Sequence, residues 1–88
     1  MDSGQALSEI QRLVAARRYQ ISLHAKQRMI ERQIDQRDLQ HAIAHAVTCG
    51  ASGVDQVSDW TVTGPDVGGE SMQVAVAIDD GVVVITVF

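Results

Sequence analysis

The sequence predicts an α+β domain in which N-terminal helices pack on one face of a small antiparallel sheet of three or more strands. As far as Gly50, the apolar residues recur at the spacing of a helix, and after Gly50 they alternate at the spacing of a strand. Helices followed by strands are typical of an α+β fold with an antiparallel sheet. A length of 88 residues allows one modest core, so we expect a single domain over residues 1–88.

The first two helices are expected over residues 3–19 and 21–34. Ser3 or Ser8 is the expected N-cap of the first helix and Ser22 that of the second. The apolar stripe of the first helix consists of Leu7, Ile10, Leu13 and Val14. The second helix is expected to bury a stripe made of Leu23, Ile30 and Ile34.

The third helix is expected over residues 35–50, with Asp35 as its N-cap and Gly50 at its end. Its apolar residues follow the spacing of a helix that packs on a core. They are Leu39, Ala42, Ile43, Ala46 and Val47.

Strands are expected around residues 57–63, over "ESMQVAVAI" and over "VVVITVF", with "GPDVGG" as the connection between the first two. Asp80-Gly81 predicts a two-residue hairpin turn. In that register one face of the hairpin forms the core, and it carries Met72, Val74, Val76, Ile78, Val83, Ile85 and Val87. The other face carries Gln73, Ala75, Ala77, Val84, Thr86 and Phe88. Small residues around Thr86, opposite Ala75, would leave a shallow surface there.

The charges are unevenly distributed. The net charge is −4, yet all seven Lys and Arg residues lie between Arg12 and Arg37. This acidity disfavours nonspecific nucleic-acid binding by the whole surface. A single cysteine, Cys49, fits a reducing compartment, and neither a secretory signal nor a membrane span is visible. We therefore expect a cytoplasmic protein without a membrane partner.

The second helix carries the clearest candidate site. His24, Arg28 and Arg32 follow one another at a spacing of four residues, and Glu31 lies beside them. Arginine binds phosphate and carboxylate groups through two parallel hydrogen bonds. This stripe therefore indicates either an anion-binding site or a solvated helix face, and the spacing alone leaves both open.

His41, His45 and Cys49 show the same spacing on the third helix. Two histidines four residues apart can chelate zinc. However, the sequence offers no evident fourth ligand, and a merely polar helix face is the alternative.

The chain resembles a family of small bacterial proteins catalogued as a domain of unknown function, which looks like a branch of the RelE/MqsR-type toxins. Their pattern is aromatic-x-x-Ser-x-His-Ala-x-x-Arg-Met-x-x-Arg-x-Ile with a closing strand such as Val-Ile-Thr-Val-aromatic. The matching residues here are Tyr19, Ser22, His24, Ala25, Arg28, Met29, Arg32 and Ile34, followed by Val84, Ile85, Thr86, Val87 and Phe88.

The resemblance implies a RelE-like fold and a toxin encoded beside an antitoxin, acting on RNA or at the ribosome. It implies cleavage without a metal or other cofactor, by attack of a 2′-hydroxyl group on the adjacent phosphate. His24 would be the general base or acid, Arg28 and Arg32 would stabilise charge on the phosphate, and Thr86 would contribute a hydroxyl group. Two departures stand against this: the chain is acidic, and it has only three aromatic residues.

Two other hypotheses account for the same residues. In one, the chain is a non-catalytic binding module that docks an acidic partner or forms a homodimer. In the other, His24 holds a buried backbone group, and Arg28 and Arg32 pair with acids.

Overall fold

The computed structural model of the protein describes residues 1–51 and 59–88. The helices of this part are α1 (Ser3–Ala15), α2 (Leu23–Glu31) and α3 (Gln36–Ala44). The strands are β1 (Tyr19–Ile21), β2 (Thr48–Ala51), β3 (Trp60–Pro65), β4 (Ser71–Ile78) and β5 (Val82–Val87). None of the described helices is long and apolar enough to cross a membrane.

The strands form one sheet in the order β1-β5-β4-β3-β2, and the helices pack against it, which confirms the predicted α+β fold. The pairs β2–β3, β3–β4 and β4–β5 are antiparallel, as expected for the three predicted strands; β2 was not predicted. Strand β1 is parallel to β5, so the sheet as a whole is mixed. The third residue of β1, Ile21, lies opposite Val84.

The edge strand β1 occupies residues that the sequence assigns to the first helix and the start of the second. Helix α1 ends early because Arg17 adopts a left-handed backbone with φ 62°. The amide groups of Arg17 and Arg18 then bond back to the carbonyl groups of Val14 and Leu13, which is a common way to end a helix. The N-cap of α1 is Asp2, not Ser3 or Ser8.

The core lies between the sheet and the helices. Helix α1 contributes the predicted stripe, with Leu7 only partly buried. The largest fully buried side chains are Ile10, Leu39, Ile43, Val62, Val74, Val76, Val82, Val84 and Val87. Gly64 lets α3 approach β3, because a Cβ atom at this position would lie 2.0 Å from the carbonyl oxygen of Ala42.

The β4–β5 hairpin forms, but its predicted register is wrong at the turn. Ile78 pairs with Val82 across a three-residue connection, so Val82 and Val84 enter the core in place of Val83 and Ile85. A β-bulge at Ile85 then restores the expected register. Val87 consequently faces Val74, and Thr86 faces Ala75, as predicted.

Helix α3 is shorter than predicted. It ends at Ala44 with His45 as its C-cap, and Thr48–Ala51 forms β2 instead of the last helical turns. Pairing with β3 supplies the reason, since the amide of Val47 donates to the carbonyl of Thr63 ahead of the ladder. Asp35 is the N-cap, as expected.

The connection between β3 and β4 is formed by residues 66–70, later than predicted, because Gly64 and Pro65 of the "GPDVGG" segment belong to β3. The strand expected over residues 57–63 is seen as β3, and Val57 and Ser58 lie outside the described residues.

Candidate functional site

Helix α2 lies along the edge of β5, directly after β1 ends. The amide of Ser22 donates to the carbonyl of Val84, which continues the β1–β5 pairing. The Ser22 hydroxyl donates to the carbonyl of Ile85 at 2.9 Å and accepts the amide of Ala25 at 3.0 Å. Ser22 is therefore the predicted N-cap and also the residue that fixes the start of α2 to the bulge of β5.

The buried side of α2 is the opposite of the predicted one. Ala25 and Met29 are its buried residues, whereas Leu23 and Ile30 are 74% and 77% exposed. Ile34, beyond the helix, is partly buried. Helix α2 lies at the edge of the sheet and contacts β5. A narrow side of small and flexible residues is enough to fill this contact, so the larger aliphatic side chains face solvent.

Arg28 lies between the buried and the exposed sides of α2. Its Nε atom donates to the carbonyl oxygen of Val87 at 3.5 Å, and its guanidinium nitrogen is 3.8 Å from a carboxylate oxygen of Glu31. Arg28 thus connects α2 to the last residue of β5, while part of its guanidinium group remains exposed.

Thr86 meets Arg28 at the same carbonyl group. Its hydroxyl lies 3.4 Å from the carbonyl oxygen of Val87, and the residue is only 7% exposed. Ala75, its cross-strand neighbour, is fully buried. The shallow open surface expected around Thr86 is therefore absent at these two residues, where the sheet face is covered.

His24 and Arg32 lie on either side of Arg28 along α2. His24 is the second residue of the helix, Arg32 is its C-cap, and both are exposed. At 1.5 Å per residue they are about 12 Å apart along the helix axis. Neither side chain forms a hydrogen bond or an ion pair with the described residues. The hypothesis that His24 forms a hydrogen bond with a buried backbone group is therefore wrong among the described residues. Arg28 forms such a bond instead, with the carbonyl of Val87.

The expected stripe of His41, His45 and Cys49 does not form, because Cys49 lies on β2. The Nδ1 atom of His41 is 2.9 Å from the carbonyl oxygen of Pro65, and its ring lies against that of His45 with centroids 4.4 Å apart. Burial raises the pKa of the Cys49 thiol, which disfavours the thiolate that binds metals. Among the described residues, no group of three or more His, Cys, Asp and Glu residues could hold a metal ion.

A second group of polar residues was not singled out from the sequence. Gln40 donates to the Tyr19 hydroxyl at 2.7 Å, and this hydroxyl donates to Gln36 at 3.1 Å. With Arg17, Ile21 and Lys26 they line a groove of about 380 Å³. The spacing of Gln36 and Gln40 by one helical turn was visible in the sequence, but β1, which brings Tyr19 beside them, was not.

These observations define a small α+β domain whose second helix, rich in cations, is held along the edge of the last strand. Residues 21–88 match the family described as Domain of unknown function (DUF4258), and the chain belongs to this family. The matched range covers α2 and β5, with Ser22, Arg28 and Val87 among its residues. No curated protein and no solved structure matches the chain.

Proposed function

We propose that this protein is a toxin-like endoribonuclease that cleaves RNA without a metal ion and belongs to a toxin–antitoxin pair. The observation that carries the proposal is the position of Arg28. Its Nε atom donates to the carbonyl of Val87 on β5, and a terminal nitrogen lies 3.8 Å from the Glu31 carboxylate on the exposed side of α2. An arginine held in this way has less conformational freedom to lose when it binds a phosphate group.

The residues in the signature of the RelE/MqsR-type resemblance differ in what they do for the fold. Ser22, Ala25 and Met29 hold α2 on β5 and in the core. His24 and Arg32 are exposed and bond to no described residue, so the fold does not account for them. Binding to RNA would account for both.

In the proposed reaction the 2′-oxygen of a ribose attacks the neighbouring phosphorus atom, and the bond from phosphorus to the 5′-oxygen breaks. His24 takes the proton of the 2′-hydroxyl or gives a proton to the leaving 5′-oxygen. Arg28 and Arg32 stabilise the negative charge that grows on the phosphate oxygens. Thr86 is too buried to touch RNA in this structure, so we assign it to the support of the carbonyl group that binds Arg28.

The test is cleavage of single-stranded RNA in the presence of EDTA, with the 2′,3′-cyclic phosphate end as the signature of this chemistry. We expect His24→Gln to abolish cleavage and to leave the free energy of unfolding within about 0.5 kcal/mol, because the side chain is exposed. His45→Gln is the matched control, since His45 is also exposed but lies at the end of α3. Absence of cleavage by the wild-type protein, or equal cleavage by His24→Gln, would contradict the proposal.

A second candidate function is a non-catalytic module that binds another protein, and the exposure of Leu23 and Ile30 favours it. Two large aliphatic side chains on the outer side of one short helix, with Lys26 three residues after Leu23 and four before Ile30, suit an acidic amphipathic segment. An antitoxin, another acidic protein or a second copy of the chain would each use this side. In the toxin hypothesis the same side would hold the antitoxin.

Sedimentation equilibrium over a range of concentrations tests self-association, and co-purification with the product of a neighbouring reading frame tests the antitoxin. We expect the joint change Leu23→Gln and Ile30→Gln to abolish either association. Val67→Gln, at another exposed aliphatic residue, is the matched control. A partner that binds the double variant as tightly as the wild type would exclude this surface.

A further inference from the structure

The groove beside Tyr19 lies on a different side of α2 from His24 and Arg28. It is lined by Arg17 after α1, Tyr19 and Ile21 of the edge strand β1, Lys26 of α2, and Gln36 and Gln40 of α3. Its volume of about 380 Å³ is within the range of small-molecule sites. We infer that this groove binds a nucleotide unit, with its phosphate between Arg17 and Lys26.

The charge of the groove supports an anionic ligand. Its lining includes two cations and no carboxylate, although the chain as a whole has a net charge of −4. Within the described residues neither Arg17 nor Lys26 is part of an ion pair. The neighbouring Arg18 differs, because its guanidinium nitrogen lies 3.2 Å from a carboxylate oxygen of Asp80.

The hydrogen bonds of the groove support a ligand that also has polar edges. The Tyr19 hydroxyl accepts a hydrogen bond from the amide nitrogen of Gln40 and donates one to the amide oxygen of Gln36. The remaining amide groups are therefore a donor on Gln36 and an acceptor on Gln40, four residues apart on α3. Side-chain amides of this kind recognise the donor and acceptor groups on the edges of bases, and sugar hydroxyl groups offer the same chemistry.

Arg17 has a backbone conformation that glycine adopts with less strain, with φ 62°. Gln33, just after α2, has the same conformation, so backbone strain by itself does not indicate a binding role for Arg17. The evidence for that role is the position of Arg17 in the groove. The substitution Arg17→Gly therefore separates the two roles, since it removes the cation and also relieves the backbone.

The ligand could come from two sources, a free nucleotide or one nucleotide of an RNA strand. The test uses a fluorescent single-stranded 2′-O-methyl RNA, which lacks the attacking hydroxyl group, so binding is measured whether or not the protein cleaves RNA. A free nucleoside monophosphate is titrated separately by calorimetry. Binding of both probes is expected for a nucleotide site, and binding of the strand alone for an RNA groove; either result supports the inference when the groove variant described below loses it.

We expect the joint change Arg17→Gly and Lys26→Ala to weaken binding at least tenfold and to lower the dependence of log Kd on log salt by about 1.4 for a single strand. Arg17→Gly is expected to raise the Tm, and a Tm of the double variant at or above that of the wild type would show that its loss of binding is not a loss of folding. Arg18→Ala, which removes the same charge from the next residue, should change Kd less than twofold. Equal affinity of the double variant and Arg18→Ala, or no binding of either probe by the wild type, would overturn the inference.

Discussion

The hydroxyl group of Ser22 donates to the carbonyl of Ile85, 63 positions further along the chain, while it accepts the amide of Ala25. One side chain thus caps α2 and binds the bulged residue of β5. This contact fixes the start of α2 on β5, while the buried Ala25 and Met29 hold the rest of the helix.

We predict that Ser22→Ala lowers the free energy of unfolding by about 1–2 kcal/mol, since it removes the cap and leaves the carbonyl of Ile85 without this donor. Urea unfolding followed by circular dichroism measures the change. Ser8→Ala, at an exposed position of α1, is the control and should be neutral or slightly stabilising. An equal effect of the two substitutions would show that Ser22 does not hold α2.

The second prediction concerns the buried side of α2, which is the opposite of the side that the sequence pattern favours. Met29→Ala should cost about 2–5 kcal/mol because it empties a buried site. Leu23→Ala and Ile30→Ala should each stay within about 0.5 kcal/mol because both side chains are exposed. The same unfolding experiment measures all three. The reverse ranking would mean that the helix buries the side that the sequence pattern favours.

Gly64 should tolerate no side chain. A Cβ atom would lie 2.0 Å from the carbonyl oxygen of Ala42 and 2.9 Å from its carbonyl carbon. Both atoms belong to the backbone of α3, so α3 would have to move away from β3. We expect Gly64→Ala to cost about 3 kcal/mol or more, at the upper end of ordinary overpacking, or to prevent folding. Gly50→Ala is the control, since nothing lies within 4 Å of its added Cβ; equal stability of the two variants would contradict the close approach.

Asp38 predicts how stability depends on pH. The backbone amides of Asp35 and Val67 donate to its carboxylate and lower the pKa of Asp38. A group whose pKa is lower in the folded state stabilises the fold above its unfolded pKa, and this contribution is lost as the pH falls through the folded pKa. Asp38→Asn should therefore lower the Tm at neutral pH, and the difference should shrink as the pH falls below about 4. A difference that stays constant down to low pH would contradict this assignment.

Local patterns in the sequence were sufficient to predict those helices and strands whose buried residues recur at a regular spacing within the element itself. The stripe of α1 and the alternation of β4 are of this kind, as are the caps Ser22 and Asp35, each followed three residues later by the amide it accepts. His24 and Arg32 are exposed, as expected, but not for the expected reason, because the stripe of Leu23 and Ile30 that was expected to be buried is exposed as well.

Features that depend on distant residues could not be predicted. A helical wheel predicts that the most hydrophobic side of a helix is buried, and it therefore placed Leu23 and Ile30 in the core. The narrow contact with β5 instead buries Ala25 and Met29. Strand β1 has three residues and no period of its own, and it exists through its pairing with β5. For the same reason the contact between Arg28 and Val87 had no signal in the sequence. The groove around Tyr19 had only a partial signal, the spacing of Gln36 and Gln40.

The insertion of β5 between β1 and β4 has a consequence for the order of events during synthesis. Helix α2 emerges from the ribosome long before residues 82–87, yet those residues provide the carbonyl that binds its capping Ser22, its edge contact and the anchor of Arg28. A nascent chain that has not yet reached residues 82–87 therefore contains His24 but lacks β5, the strand against which α2 packs. The side of α2 that carries His24 and Arg28 is therefore complete only after β5 has been made and has paired with β1 and β4 in the sheet.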